Sequence, residues 1–163
     1  MVGEATQQTV DEILDAGVEL LNRDVDDTYR FVGAHAEQIE NPADYQPRVA
    51  TAMVLGPEVA PQEQLEQYAS RGRAFVRRWL AKIEPELRKG LCTDHDVRPE
   101  LKDLEPDSKN LLTAVFKEVL PLLVVAIPGG IVGALAAVAA GIAALLIMSG
   151  IEQFCKSGSE AIK

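Results

Sequence analysis

The residues best suited to chemistry sit in one short run, "CTDHD", which places Cys92, Asp94, His95 and Asp96 within five positions. Thiolate, imidazole and carboxylate all bind metals, and a Cys–His pair is the heart of one kind of nucleophilic site. The spacing argues against both. Adjacent residues rarely converge on one ion, and no second His or Cys follows at helical or hairpin spacing. His35 lies 60 positions away. Cys92 and His95 also lack a third, orienting group and any oxyanion motif. The chain contains no Gly-x-Ser-x-Gly elbow, no P-loop and no dinucleotide fingerprint. The expectation is a non-enzymatic protein with no catalytic residue, no cofactor and no metal, in which CTDHD is a polar loop. Cys92 and Cys155 are the only cysteines. Their lack of metal-type spacing suits a reducing cytosol and predicts no disulfide framework.

The second chemical feature is charge. The chain of 163 residues carries a net charge of −9, but the charge is not evenly spread. Residues 1–66 hold 14 acids and 3 bases, whereas residues 67–92 hold 7 bases and 2 acids. An acidic total argues against general nucleic-acid binding, which needs a clustered positive surface. Within "SRGRAFVRRWLAK", helical geometry puts Arg71, Arg78 and Lys82 on one side and Arg73 and Arg77 on another. This stripe is a solvated helix face paired with acids of the same chain, or a surface for an anionic partner. The partners considered are lipid headgroups, a phosphate-bearing ligand and the acidic N-terminal helix of a second copy. A negative patch meeting a positive patch elsewhere on the molecule makes a head-to-tail contact, which builds rings or filaments.

The third feature has no charge at all. Val119 to Ile151, "VLPLLVVAIPGGIVGALAAVAAGIAALLIMSGI", is 33 residues without an ionisable side chain. A bilayer takes about 20 apolar residues per helical span, so one span fits and two do not. Pro128, Gly129 and Gly130 break the run and mark a hairpin turn; set between two apolar helices, they are no phosphate cradle. Beyond them, Ile131–Ile151 has the length of one span. Gly129, Gly133, Ala137 and Gly141 recur every four residues, the small-residue pattern that lets helices approach closely in lipid. The absence of ionisable groups argues against proton relay or voltage sensing. Cys155, just past the span, is placed for palmitoylation. Three arrangements are compatible with the run: a C-terminal anchor, a hairpin concealed until released, and a core hairpin of a soluble protein. The concealed form resembles pore-forming colicins in one respect, an uncharged C-terminal hairpin kept soluble by amphipathic helices.

Helical periodicity positions these features almost throughout. Val10, Ile13, Leu14, Gly17, Val18, Leu21 and Val25 share one face, with Thr9 and Glu12 as a capping box. Asp24 is placed to cap a second helix through Tyr29, Val32, Ala36 and Ile39, ending before Asn41-Pro42. Pro47 opens a short helix that stops at Gly56-Pro57. From Pro61, the positions Leu65, Tyr68, Gly72, Phe75, Val76, Trp79, Leu80, Ile83 and Leu87 form one long apolar face, with Gly90 as its stop. A polar connector follows. Asp107 or Ser108 then caps a helix carrying Leu111, Leu112, Val115, Phe116, Val119 and Leu120.

The fold class expected is all-α: a bundle of about five helices, then an apolar membrane-type helix or hairpin. Residues 1–105 form an acidic assembly or sensor domain, 106–118 the start of an amphipathic connector helix, and 119–163 the membrane-insertion segment. The N-terminus, "MVGEATQQTVDEIL", lacks a basic n-region and an apolar h-region, so no signal peptide is expected. The function that fits is a membrane-active effector of toxin or antiviral-defence type. It would oligomerise through its cytoplasmic helical domain and insert into the inner or plasma membrane, with a protein partner or trigger. A tail-anchored adaptor and a soluble subunit with a buried hairpin are the alternatives.

Overall fold

The apolar run that carries no charge is the middle of the molecule. In the structure, a computed structural model describing residues 2–40, 47–56, 59–94, 96–105, 108–128 and 132–162, helices dominate. They are α1 (Val2–Leu21), α2 (Val25–Glu40), α3 (Pro47–Leu55), α4 (Gln62–Leu91), α5 (Pro99–Lys102), α6 (Lys109–Ala126), α7 (Val132–Ser149) and α8 (Ile151–Ser157). A 3₁₀ turn, Gly158–Ala161, follows α8. The all-α expectation holds. A helix apolar on every side must be surrounded on every side. Here α1, α2, α3, α6 and α8 all pack on α7, and residues 134–146 are buried without exception. One cluster of buried side chains runs from Ile13 in α1 to Cys155 in α8.

The outer helices have the one-sided pattern read from the sequence. In α4, Leu65, Tyr68, Gly72, Val76, Leu80, Ile83 and Leu87 are buried, while Phe75 and Trp79 are half-buried at the margin of that face. Asp24 caps α2, its Oδ1 accepting from the Asp27 N–H at 3.3 Å. Ser108 caps α6, its hydroxyl accepting from the Leu111 N–H at 3.1 Å. Asp107, the other candidate cap, lies outside the described residues, as do Asn41-Pro42 and Pro57. The second helix is more enclosed than its pattern implies. Helix α2 lies between α4 and α7, so residues 31–36 are buried all round.

Several expectations are corrected. Helix α1 already runs from Val2, so Thr9 lies inside it and is no N-cap. Helix α4 continues through Gly90 to Leu91, where Cys92 turns extended. The connector is not featureless: Cys92–Thr93 and Asp96–Val97 pair antiparallel as β1 and β2, followed by the single turn α5. Asp94 sits at the turn with φ 58°, a left-handed conformation that Asp tolerates because its short side chain bonds locally. The apolar helix ends at Ser149, not Ile151. Gly150, at φ 93°, redirects the chain so that α8 leaves at 89° to α7. Among the described residues no single helix is long and apolar enough to cross a membrane; the bent pair Gly133–Ser149 and Ile151–Ser157 meets the length and composition only together.

The expectation of unbonded cysteines is also overturned. Cys92 and Cys155, 63 residues apart, form a disulfide, with Cα atoms 5.7 Å apart. Spacing in sequence carried no trace of it, because the fold alone brings the end of α4 beside α8. With its sulfur bonded and the residue buried, Cys155 is not placed for palmitoylation.

Candidate functional site

Two regions carry the features singled out above: the basic face of α4 and the hairpin formed by α6 and α7. On α4 the bases divide into two groups. Arg73 forms an ion pair with Asp26 of α2 and lies over the Tyr29 ring, 4.9 Å from its centroid. Arg71 lies 3.3 Å from the Glu37 carboxylate, also on α2. These pairs tie α4 to α2. Acids of α2 reach α4 because the two helices cross closely. Arg77, Arg78 and Lys82 make no ion pair among the described residues. Arg78 and Lys82 instead flank the Trp79 ring, at 4.8 and 4.6 Å from its centroid. Such contacts leave the positive heads in water and the ring partly covered.

Between these bases lies a groove of about 320 Å³. Ala36 and Ile39 of α2, Ala74, Phe75 and Trp79 of α4, and Ile127 after α6 supply its apolar lining. Arg71 and Arg78 complete the wall. The sequence reading missed this groove. Its signal was present: Phe75 and Trp79 flank the buried stripe of α4, and large aromatics at a margin are left half-covered unless another element closes over them.

The small-residue stripe of α7 faces protein. Ala137 and Gly141 are buried and Gly133 is half-buried, while Gly129 and Gly130 of the turn lie outside the described residues. A Cβ on Gly141 would collide with a methyl of Val32 in α2. The tightest helix contact, however, is elsewhere. A Cβ on Gly33 would fall into the Tyr68 carbonyl, and one on Gly72 into the Tyr29 carbonyl. Helices α2 and α4 thus cross backbone to backbone through reciprocal glycines. Pro128, the described part of the turn, is exposed, and Val124 and Val125 near it are 42% and 80% exposed.

At the opposite end, α8 is fastened to α4. The disulfide is one link, and Arg88 donates to the Cys155 carbonyl at 2.7 Å. The CTDHD run becomes the β1–β2 hairpin, with Asp96 accepting from Lys102 at 2.6 Å. That contact, with the Val97 N–H, holds the Asp96 carboxyl below the usual range. His95 lies outside the described residues, and no cluster of three metal-ligating side chains occurs among those described.

One buried titratable group escaped the sequence reading. His35 of α2 is fully enclosed, 3.1 Å from the Thr51 hydroxyl and set against Phe31 with ring centroids 4.5 Å apart and planes tilted by 54°. Desolvation pushes its pKa from 6.5 down to about 3, so the ring is neutral at physiological pH. In comparisons with known proteins, no family model, no curated protein and no solved structure matches the chain.

Proposed function

We propose that the chain is a non-enzymatic, membrane-active protein that stores the apolar α6–α7 hairpin inside its bundle and inserts it into a bilayer when the bundle opens. The carrying observation is α7 itself: an uncharged helix without a polar face, wrapped by helices that each have one. A core needs no helix of that uniformity, since half-polar helices suffice for a chain this size. The exposed Val124 and Val125 leave the turn end of the hairpin apolar towards solvent. Helices α1 and α4 carry charge on their outer faces, so they remain compatible with water after the hairpin departs. In this reading Gly133, Ala137 and Gly141 exchange α2 for a neighbouring hairpin in lipid. Arg77, Arg78 and Lys82 join copies head to tail at the inner or plasma membrane, meeting the acidic α1 of the next copy. The enclosure of α7 from Ala134 to Leu146 favours one other reading, a helical interaction subunit in which α7 never leaves the core.

A covalent lock separates the two. A Cβ on Gly141 lies 3.8 Å from that of Val32, within the roughly 3.5–4.5 Å range of disulfides. Val32→Cys with Gly141→Cys therefore ties α7 to α2 when oxidised. Mixed with dye-loaded anionic vesicles at pH 4.5, the wild-type chain should release dye and the oxidised double variant should not. Reductant should restore release, with reduced wild type as the matched control because its native disulfide opens too. Vesicles that stay sealed under every condition, or leak equally with the lock closed, leave α7 as a core helix. The assembly step has its own test. Arg77→Glu with Arg78→Glu should abolish oligomers on vesicles while the monomer stays folded; oligomers that persist would remove the head-to-tail contact.

A further inference from the structure

We infer that the groove between α2, α4 and the end of α6 is a binding site for a single-chain anionic amphiphile of the fatty-acid class. The groove, and with it the site, belongs to the closed bundle alone, since Ile127 of the α6–α7 hairpin lines it. The groove combines the two parts such a ligand needs. Its lining from Ala36, Ile39, Ala74, Phe75, Trp79 and Ile127 is apolar, and its volume of about 320 Å³ falls at the small end of ligand-sized clefts. That size suits one short acyl chain and not a two-chain lipid.

The charge on its wall is of one sign. Arg78 makes no ion pair among the described residues, and Arg71 shares its charge with Glu37 at 3.3 Å. Arg71 and Arg78 are about two helical turns apart on one side of α4, and both line the groove. A carboxylate entering the groove meets Arg78 as its unneutralised partner, and a guanidinium is the side chain best suited to hold a carboxylate by two hydrogen bonds. Arg71 then turns part of its fork from Glu37 to the ligand. In an acidic chain with net charge −9, this is a local exception, so attraction of an anion here is a property of the site and not of the molecule.

The chain holds one tryptophan, and it lines the groove. Trp79 fluorescence therefore reports occupancy directly. Titrating the full chain with dodecanoate, below its micelle concentration, should give a saturable spectral shift. Neutral dodecyl maltoside and short-chain acetate should not. Arg78→Gln should weaken dodecanoate about tenfold, the loss of one charge-assisted contact. Ala74→Phe, at an exposed lining position, should block binding by filling the groove. Thermal melts of both variants should match wild type, since both sites lie on the solvent side. The assignment is overturned by a flat titration, by equal binding of the maltoside, or by unchanged affinity in both variants. A shift that appears with phosphatidylglycerol vesicles and never with dodecanoate also overturns it, since that would mark a membrane surface.

Discussion

Helices α4 and α7 are both long, both glycine-bearing and both essential to the core, yet they are covered in opposite ways. Helix α4 presents one buried stripe and keeps Arg71, Arg73, Arg77, Arg78 and Lys82 in or near water. Helix α7 has no charged residue and is hidden on every side from Ala134 to Leu146. The difference lies in what each sequence specifies about its surroundings. The charges of α4 determine which face turns inward. The uniformity of α7 determines only that water is excluded, and leaves open whether protein or lipid excludes it.

The strongest way to break this contrast is to put a charge on each helix. Ala139→Asp places a carboxylate at a site with no exposure, on a helix without a charged residue. The expected cost is several kcal/mol, comparable with the roughly 5–15 kcal/mol that holds a domain of this size together. Arg77→Asp reverses charge on the exposed face of α4 and should change stability by about 0.5 kcal/mol or less. Urea unfolding followed by circular dichroism measures both. An Ala139→Asp chain that unfolds at the wild-type midpoint would mean that water already reaches α7.

That contrast also explains how much of the molecule could be read in advance. The buried stripe of α4 and the Asp24 and Ser108 caps depend on local pattern, so they were legible to within a residue or two. The place of α7 was not, because a helix without a face gives no direction. The groove lay half in view: Phe75 and Trp79 mark its wall, but the opposing Ala36, Ile39 and Ile127 come from other helices. The Cys92–Cys155 bond and the Arg73–Asp26 pair were invisible for a related reason. Each joins residues far apart in sequence, and only the docking of α8 and α2 against α4 brings them together.

Glycine sharpens the comparison at the next level of effect. The small-residue stripe drew attention to Gly141, but what opposes it is a Val32 side chain that can turn aside. Gly72 opposes the Tyr29 backbone, which cannot move without separating α2 from α4. Gly72→Ala should therefore cost about 3 kcal/mol, and Gly141→Ala about 1 kcal/mol, by the same unfolding measurement. If Gly141→Ala proves the costlier, the α2–α7 contact is the rigid one and the crossing of α2 with α4 has slack.

A pH dependence tests α2, a helix that packs against both α4 and α7. His35 sits on α2, enclosed and neutral, with its folded-state pKa lowered by desolvation from 6.5 to about 3. The unfolded chain takes up a proton at this site as pH falls through 6.5, whereas the folded chain does not. Stability is thus fully present above about pH 6.5 and falls as pH drops towards 3, by up to about 1.4 kcal/mol per pH unit. Between pH 7 and pH 5 the loss from this group is about 2 kcal/mol. His35→Gln keeps a polar contact to Thr51 but removes the titration, so its stability should be flatter over that interval. Equal slopes in the two chains would assign the acid sensitivity to carboxylates instead. A steeper wild-type slope would mean that acid loosens α2, which packs against both the charged α4 and the uncharged α7. If the proposed release of the hairpin is linked to this site, vesicle leakage should rise as pH falls below about 6.5, where only an opened chain takes up the proton.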